Sequence, residues 1–179
     1  MPPELCSEQI RQVSVSVAEY ISNRRDQFRE RAAHLSTKQE SSLAGFFRSD
    51  LLDATRILVL EQERIGNPDF YPALRGMGFA NLPDFALMAA VTFSDVAVSH
   101  QPLSDSLLFH EFVHVEQYRQ LGISRFAELY VRGFLGGGGY DGIRLELNAY
   151  SLGARFESAP GSPFSAESEV GSWIKQGKF

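Results

Sequence analysis

Residues 104–122 read SDSLLFHEFVHVEQYRQLG, and the fold turns on that stretch. Ser104 suits a helix N-cap and Gly122 a stop. Between them, Leu107, Leu108, Phe109, Phe112, Val113, Val115 and Leu121 make the segment apolar almost all round. The pattern predicts a buried helix running to Gln120. His110, Glu111 and His114 lie in its middle as an HExxH motif. Residues four apart on a helix lie about 40° apart on one face, so both imidazoles can reach one metal ion. Glu111 lies about 60° round from His114, too far to be a third ligand but placed to take a proton from water on that metal. Two histidines and a glutamate cannot be buried without partners at acceptable cost. Either a metal or a hydrogen-bonded core cluster must satisfy them.

A catalytic zinc site keeps three protein ligands and one open position. Cys6 is the only thiol, and the four histidines are His34, His100, His110 and His114. No histidine follows His114, so the HExxHxxGxxH pattern cannot be completed and a downstream third ligand must be a carboxylate. Glu146, on the helical segment RLELNAYSLGARF, is the first choice. Small residues at Ala149 and Gly153 allow that helix to lie close against the first. Asp141, Glu128 and, upstream, His100 compete with it.

Around these segments the chain predicts an α+β, predominantly helical protein. A long amphipathic helix is expected from about Glu8 to His34, with Ile10, Val13, Val17, Tyr20 or Ile21, and Phe28 at helical spacing. Its RRDQFRER segment reads as a solvated face. A second helix is expected from Gln39 to Ile65, ended by Gly66-Asn67-Pro68. Ala89 to Ser99, AAVTFSDVAVS, is the strongest strand candidate. Helix returns at Ser124–Phe134 and, after the glycine-rich stretch 133–142, at about Gly142–Phe156. A Ser/Pro/Gly loop over 158–168 and a tail with Trp173 and Ile174 complete the chain. These segments form one domain over 1–179, with a helical supporting region (1–80), a core (82–156) and a loop and tail (157–179).

The 179 residues include 17 Lys and Arg against 22 Asp and Glu, a net charge of −5, which supplies no basic field for a nucleic acid. The longest apolar run, Phe85–Phe93, is about half of the roughly 20 residues a membrane span needs. The N-terminal stretch Met1–Gln12 lacks the basic and apolar regions of a secretory signal. A cytoplasmic location is therefore the default expectation, and a signal-independent secretion route leaves no trace in sequence.

HEFVHVEQYRQLG, preceded by VTFSDVAVS and followed by GGYDGIRLELNAY, resembles the gluzincin-type zinc metallopeptidases. It is especially similar to small bacterial proteins with an HExxHVxQ core that are often classed as peptidases. The resemblance covers about Leu82 to Phe156. It implies a zincin-like core with a small sheet, the HExxH helix and a second helix carrying the glutamate ligand. It further implies that His110, His114 and Glu146 bind a zinc ion (Zn2+) and that Glu111 is general base in peptide-bond hydrolysis. An edge strand, Val91–Val98, is expected to hold a peptide or protein substrate as an added strand. The ELNAY segment lacks the aspartate of the thermolysin-type NExxxD pattern, and no transition-state histidine follows. Tyr140 and Tyr150 are the nearest candidates for the oxyanion donor, with His100 another, while Tyr118 is expected to pack.

Three competing readings remain. Gly137–Gly142 satisfies G-x-G-x-x-G, but a dinucleotide site needs a preceding strand and a continuing βαβ unit. A mobile loop beside the metal site is the better expectation. The alternative to an enzyme is a non-catalytic zinc-binding or interaction module that retains a zincin site, or an effector delivered by other proteins. Retention of Glu111 favours the enzyme, because a structural site needs ligands but no base.

Overall fold

The computed structural model describes residues 4–179, so Met1–Pro3 of the stretch read for a leader lie outside it. The amphipathic N-terminal segment forms α1 (Ser7–Arg29), burying Ile21 and Phe28. The next segment departs from expectation. Gln39–Ile65 is not one helix but α2 (Thr37–Leu43), α3 (Ser49–Ala54) and strand β1 (Arg56–Val59). Gly45 breaks it with φ +85°, packed so closely that a Cβ there would lie 3.1 Å from Pro163. The run Ile57-Leu58-Val59 then satisfies its backbone against another strand. The region expected to be helical support thus donates a strand to the sheet.

After the short helix α4 (Tyr71–Gly76), the single strand expected over Ala89–Ser99 is a hairpin of β2 (Ala90–Phe93) and β3 (Val96–Ser99). Its two-residue turn places Ser94 at φ +58°. Asp95 is tied to α1 by Arg25 and Arg29, each at 2.7 Å. Strand order is β1-β3-β2, with β1 parallel and β2 antiparallel to β3. The central strand is therefore β3, buried along its whole length, and only β2 of the expected edge segment is an edge. Ala33 bridges to Ile57 on the far side of β1.

Helix α5 (Asp105–Gly133) starts where Ser104 accepts the Leu107 N–H at 3.2 Å. It is two helices joined at Gly122, whose φ of 74° and ψ of 162° suit glycine alone. The glycine-rich stretch is a π turn (Phe134–Gly138) and a 3-10 turn (Gly139–Gly142) rather than an open loop. A helix precedes it, not a strand, which removes the dinucleotide reading. Helix α6 (Arg144–Ser158) follows, and the expected tail is a further helix, α7 (Ala166–Lys175), with Ala166 and Val170 buried. Phe46, Phe47, Phe109, Phe112, Phe156 and Phe164 join α2, α3, α5 and α6 in one core. Each such ring contributes about 1.5–3 kcal/mol on burial, which fixes α6 against α5.

With 61% of the residues helical and only three short strands, the protein is α+β with helix dominant. Among the described residues, no helix is long and apolar enough to cross a membrane.

Candidate metal centre

The first half of α5 and the length of α6 meet face to face. Phe109 stacks on Phe156 with centroids 4.4 Å apart, and the small side chain of Ala149 is fully buried. Gly153, expected to share that close approach, instead faces open space: a Cβ there meets nothing within 4 Å. This packing brings Glu146 over the HExxH face. His110 Nε2 and His114 Nε2 lie 3.1 Å apart, and Glu146 Oε2 is 3.4 Å from each. One ligand atom from each of the three residues lies within 4.8 Å of the others, a group that could hold a metal ion. Glu146 Oε2 is buried without a hydrogen-bond partner among the described residues. Two ring nitrogens and an orphaned carboxylate oxygen facing one point fit a cation better than they fit one another.

The tautomer is set from behind. Gln117 donates through its amide nitrogen to Leu145 O at 3.0 Å and Asn148 Oδ1 at 2.9 Å. Its Oε1 is therefore left as an acceptor, and it lies 2.9 Å from His114 Nδ1. His114 must donate from Nδ1, so Nε2 is the nitrogen aimed at the centre and free to ligate once it loses its proton. Burial pulls the His114 pKa down, but the charge of Glu146, with that of Glu111, outweighs this and raises it to about 9, so without a metal His114 also carries a proton on Nε2, which a bound cation would displace. Burial pushes Glu146 up, yet the two imidazoles hold it far below the usual carboxylate range. The pocket's field thus favours a positive charge at this point.

Glu111 is buried next to the two histidines. Thr92, on β2, donates its hydroxyl to Glu111 Oε2 at 2.6 Å. Burial raises the Glu111 pKa, and this outweighs the opposing pull of the two histidines and of Thr92. A carboxylate made more basic in this way suits proton abstraction.

The remaining candidates separate cleanly. Tyr150 is largely exposed, its ring 4.6 Å from that of His110. Tyr140 also lines the centre; burial and then the charge of Glu146 push its hydroxyl well above the ordinary tyrosine value. His100 is occupied structurally, with Nδ1 2.6 Å from Met88 O and Nε2 accepting from the Ile65 N–H at 3.0 Å. Glu128 is paired with Arg125 and Arg132, while Asp141 and His34 are exposed. None of these four joins the cluster. Tyr118 packs as expected, stacked on Phe126 at 3.7 Å with its hydroxyl donating to Thr92 O. The sequence shows Gln117 only as the last residue of the HExxHVxQ core, with no role attached, and Thr92 not at all as a site residue. The first was signalled by its place one turn after His114, and the second by a lone hydroxyl in the apolar run Ala90-Val91-Thr92-Phe93.

The centre opens into a cavity of about 830 Å³ that runs from His110, Glu111 and Glu146 to Leu5 and Phe79. The edge of β2 lines it. Ala89 O accepts from His100 N, so the backbone groups of Ala89, Val91 and Phe93 turn toward β3, while those of Ala90 and Thr92 turn outward. No family model, curated protein or solved structure matches the chain.

Proposed function

We propose that this protein is a zinc-dependent metallopeptidase with a gluzincin-like arrangement. In this reading α5, α6 and the β2 edge form a zincin-like core. The observation that carries it is the buried, unpartnered Glu146 Oε2 facing the two Nε2 atoms of an HExxH pair. His110, His114 and Glu146 hold the ion, and Gln117 keeps His114 in the ligating tautomer. When bound, zinc supplies a Lewis acid that polarises a carbonyl and acidifies water. Glu111 takes the proton of the attacking water and passes it to the leaving amine. Thr92 restrains one carboxylate oxygen and leaves the other for that proton. On the outward edge of β2, the Ala90 N–H and C=O and the Thr92 N–H hold the peptide as an added strand, Thr92 O being taken by Tyr118. Tyr150, beside His110, and Tyr140 are the proposed donors to the developing oxyanion.

The test is cleavage of a degenerate peptide library by zinc-loaded wild type and Glu111→Gln. The reading predicts cleavage that the glutamine variant loses. Stoichiometric zinc with no cleavage dependent on Glu111 overturns it in favour of a zinc-binding module.

A further inference from the structure

The cavity is much larger than the metal centre requires, and its far part belongs to the first 88 residues. Val13 and Val17 of α1, Leu74 of α4, and Phe79, Leu82 and Phe85 form that part. Among the described residues, no Lys, Arg or Asp lines the cavity, and Glu157 is the single carboxylate beyond Glu111 and Glu146. A cavity of about 150 Å³ holds one benzene, so 830 Å³ takes several side chains.

The sheet says how they are presented. Phe93 faces α1, stacking on Phe28 and meeting Tyr20 edge-on, each with centroids 5.9 Å apart. Thr92 faces α5 through its bond to Glu111. A strand added to the β2 edge continues both faces. One row of its side chains points toward the metal centre and the alternate row toward the apolar wall of α1 and α4.

Resting on the peptidase reading above, we propose that the substrate is an extended peptide with large, uncharged apolar side chains at alternate positions, seated against α1, α4 and residues 79–85. A fatty acid fits the apolar wall equally well, but its single carboxylate can accept from only one of the outward N–H groups of Ala90 and Thr92, which lie about 7 Å apart along the strand. Those groups favour a peptide.

The test measures binding separately from cleavage, using zinc-loaded Glu111→Gln and short fluorescein-labelled peptides. One set carries Leu or Phe at every second position. A second set has Asp in that row, and a third has Asp in the other row. The first set is expected to bind at least about tenfold more tightly than the second, with a smaller loss for the third. Val13→Asp is expected to weaken the first set about tenfold with zinc content unchanged. Leu82→Asp replaces it if that variant does not fold. Equal binding of all three sets overturns the proposal, as does binding of palmitate with no binding of any peptide. Wild-type cleavage without row preference removes the proposal and leaves the peptidase reading standing. Row-dependent binding without cleavage upholds the ligand class and removes the hydrolysis.

Discussion

Gln117→Leu separates an oriented metal ligand from a histidine that is merely buried. Three hydrogen bonds meet on the Gln117 amide, to His114 Nδ1, Leu145 O and Asn148 Oδ1, all at 2.9–3.0 Å. Leucine keeps similar bulk and loses all three. At about 1 kcal/mol for each neutral bond, with a further cost for buried groups left unpartnered, the loss is roughly 3–5 kcal/mol. The added apolar surface returns about 1 kcal/mol, so the metal-free protein should lose about 2–4 kcal/mol in urea unfolding. His114 is then free to change tautomer or rotate, and zinc affinity should fall about 10–100-fold. Competition against a chromophoric chelator reads that change directly. Gln117→Glu restores an acceptor for Nδ1–H but cannot donate to Leu145 O and Asn148 Oδ1, so it should recover affinity more than stability. A leucine variant that binds zinc as tightly as wild type would refute the orienting role.

Thr92→Val removes the hydroxyl on Glu111 while keeping the β-branched shape. Peptide turnover should drop about tenfold, the scale of one hydrogen bond to a charged group, at unchanged zinc content; turnover equal to wild type sinks the role. Gly122→Ala forces a side chain into φ 74°, ψ 162° with nothing nearby to clash. It should destabilise by about 1–3 kcal/mol from backbone strain alone, and an unchanged urea midpoint would count against that backbone. Burial pushes the Asp95 carboxyl up, but hydrogen bonding to Arg25 and the charges of Arg25 and Arg29 outweigh this and depress it. Its stabilisation is therefore fully present above the unfolded value near pH 4 and is lost as pH falls through the folded value. Asp95→Asn should cost about 1–2 kcal/mol at neutral pH and flatten the acid limb of a stability–pH curve; an unaltered acid limb contradicts this.

What was legible in the sequence was periodic or positional. The apolar repeat of α1, the Ser104 cap, the Gly122 break and the HExxH spacing are all local, and each reappears in the structure. The lack of a histidine after His114 leaves a carboxylate as the downstream candidate, with Glu146 the first choice over Asp141 and Glu128; the structure brings Glu146 to the two histidines. The failures have long-range causes. Residues 39–65 look helical by apolar spacing, yet Gly45 must fit against Pro163, and Arg56–Val59 become a strand only by pairing with β3, some 40 residues later, with Ala33 bridging Ile57 on the other side. The hairpin was hidden because Ser94-Asp95 is not a strong turn pair; Arg25 and Arg29 of α1 anchor it. Gln117 is held by Leu145 O and Asn148 Oδ1 of α6, and Thr92 acts on Glu111 of α5, and no single segment displays such partners.

Zinc stoichiometry, measured by mass spectrometry on dialysed wild type and on His110→Ala, tests the central claim most directly. The account predicts one zinc per wild-type chain and loss of that zinc in the variant. A wild-type protein that takes up no metal when zinc is supplied would contradict it, as would a variant that keeps a full equivalent.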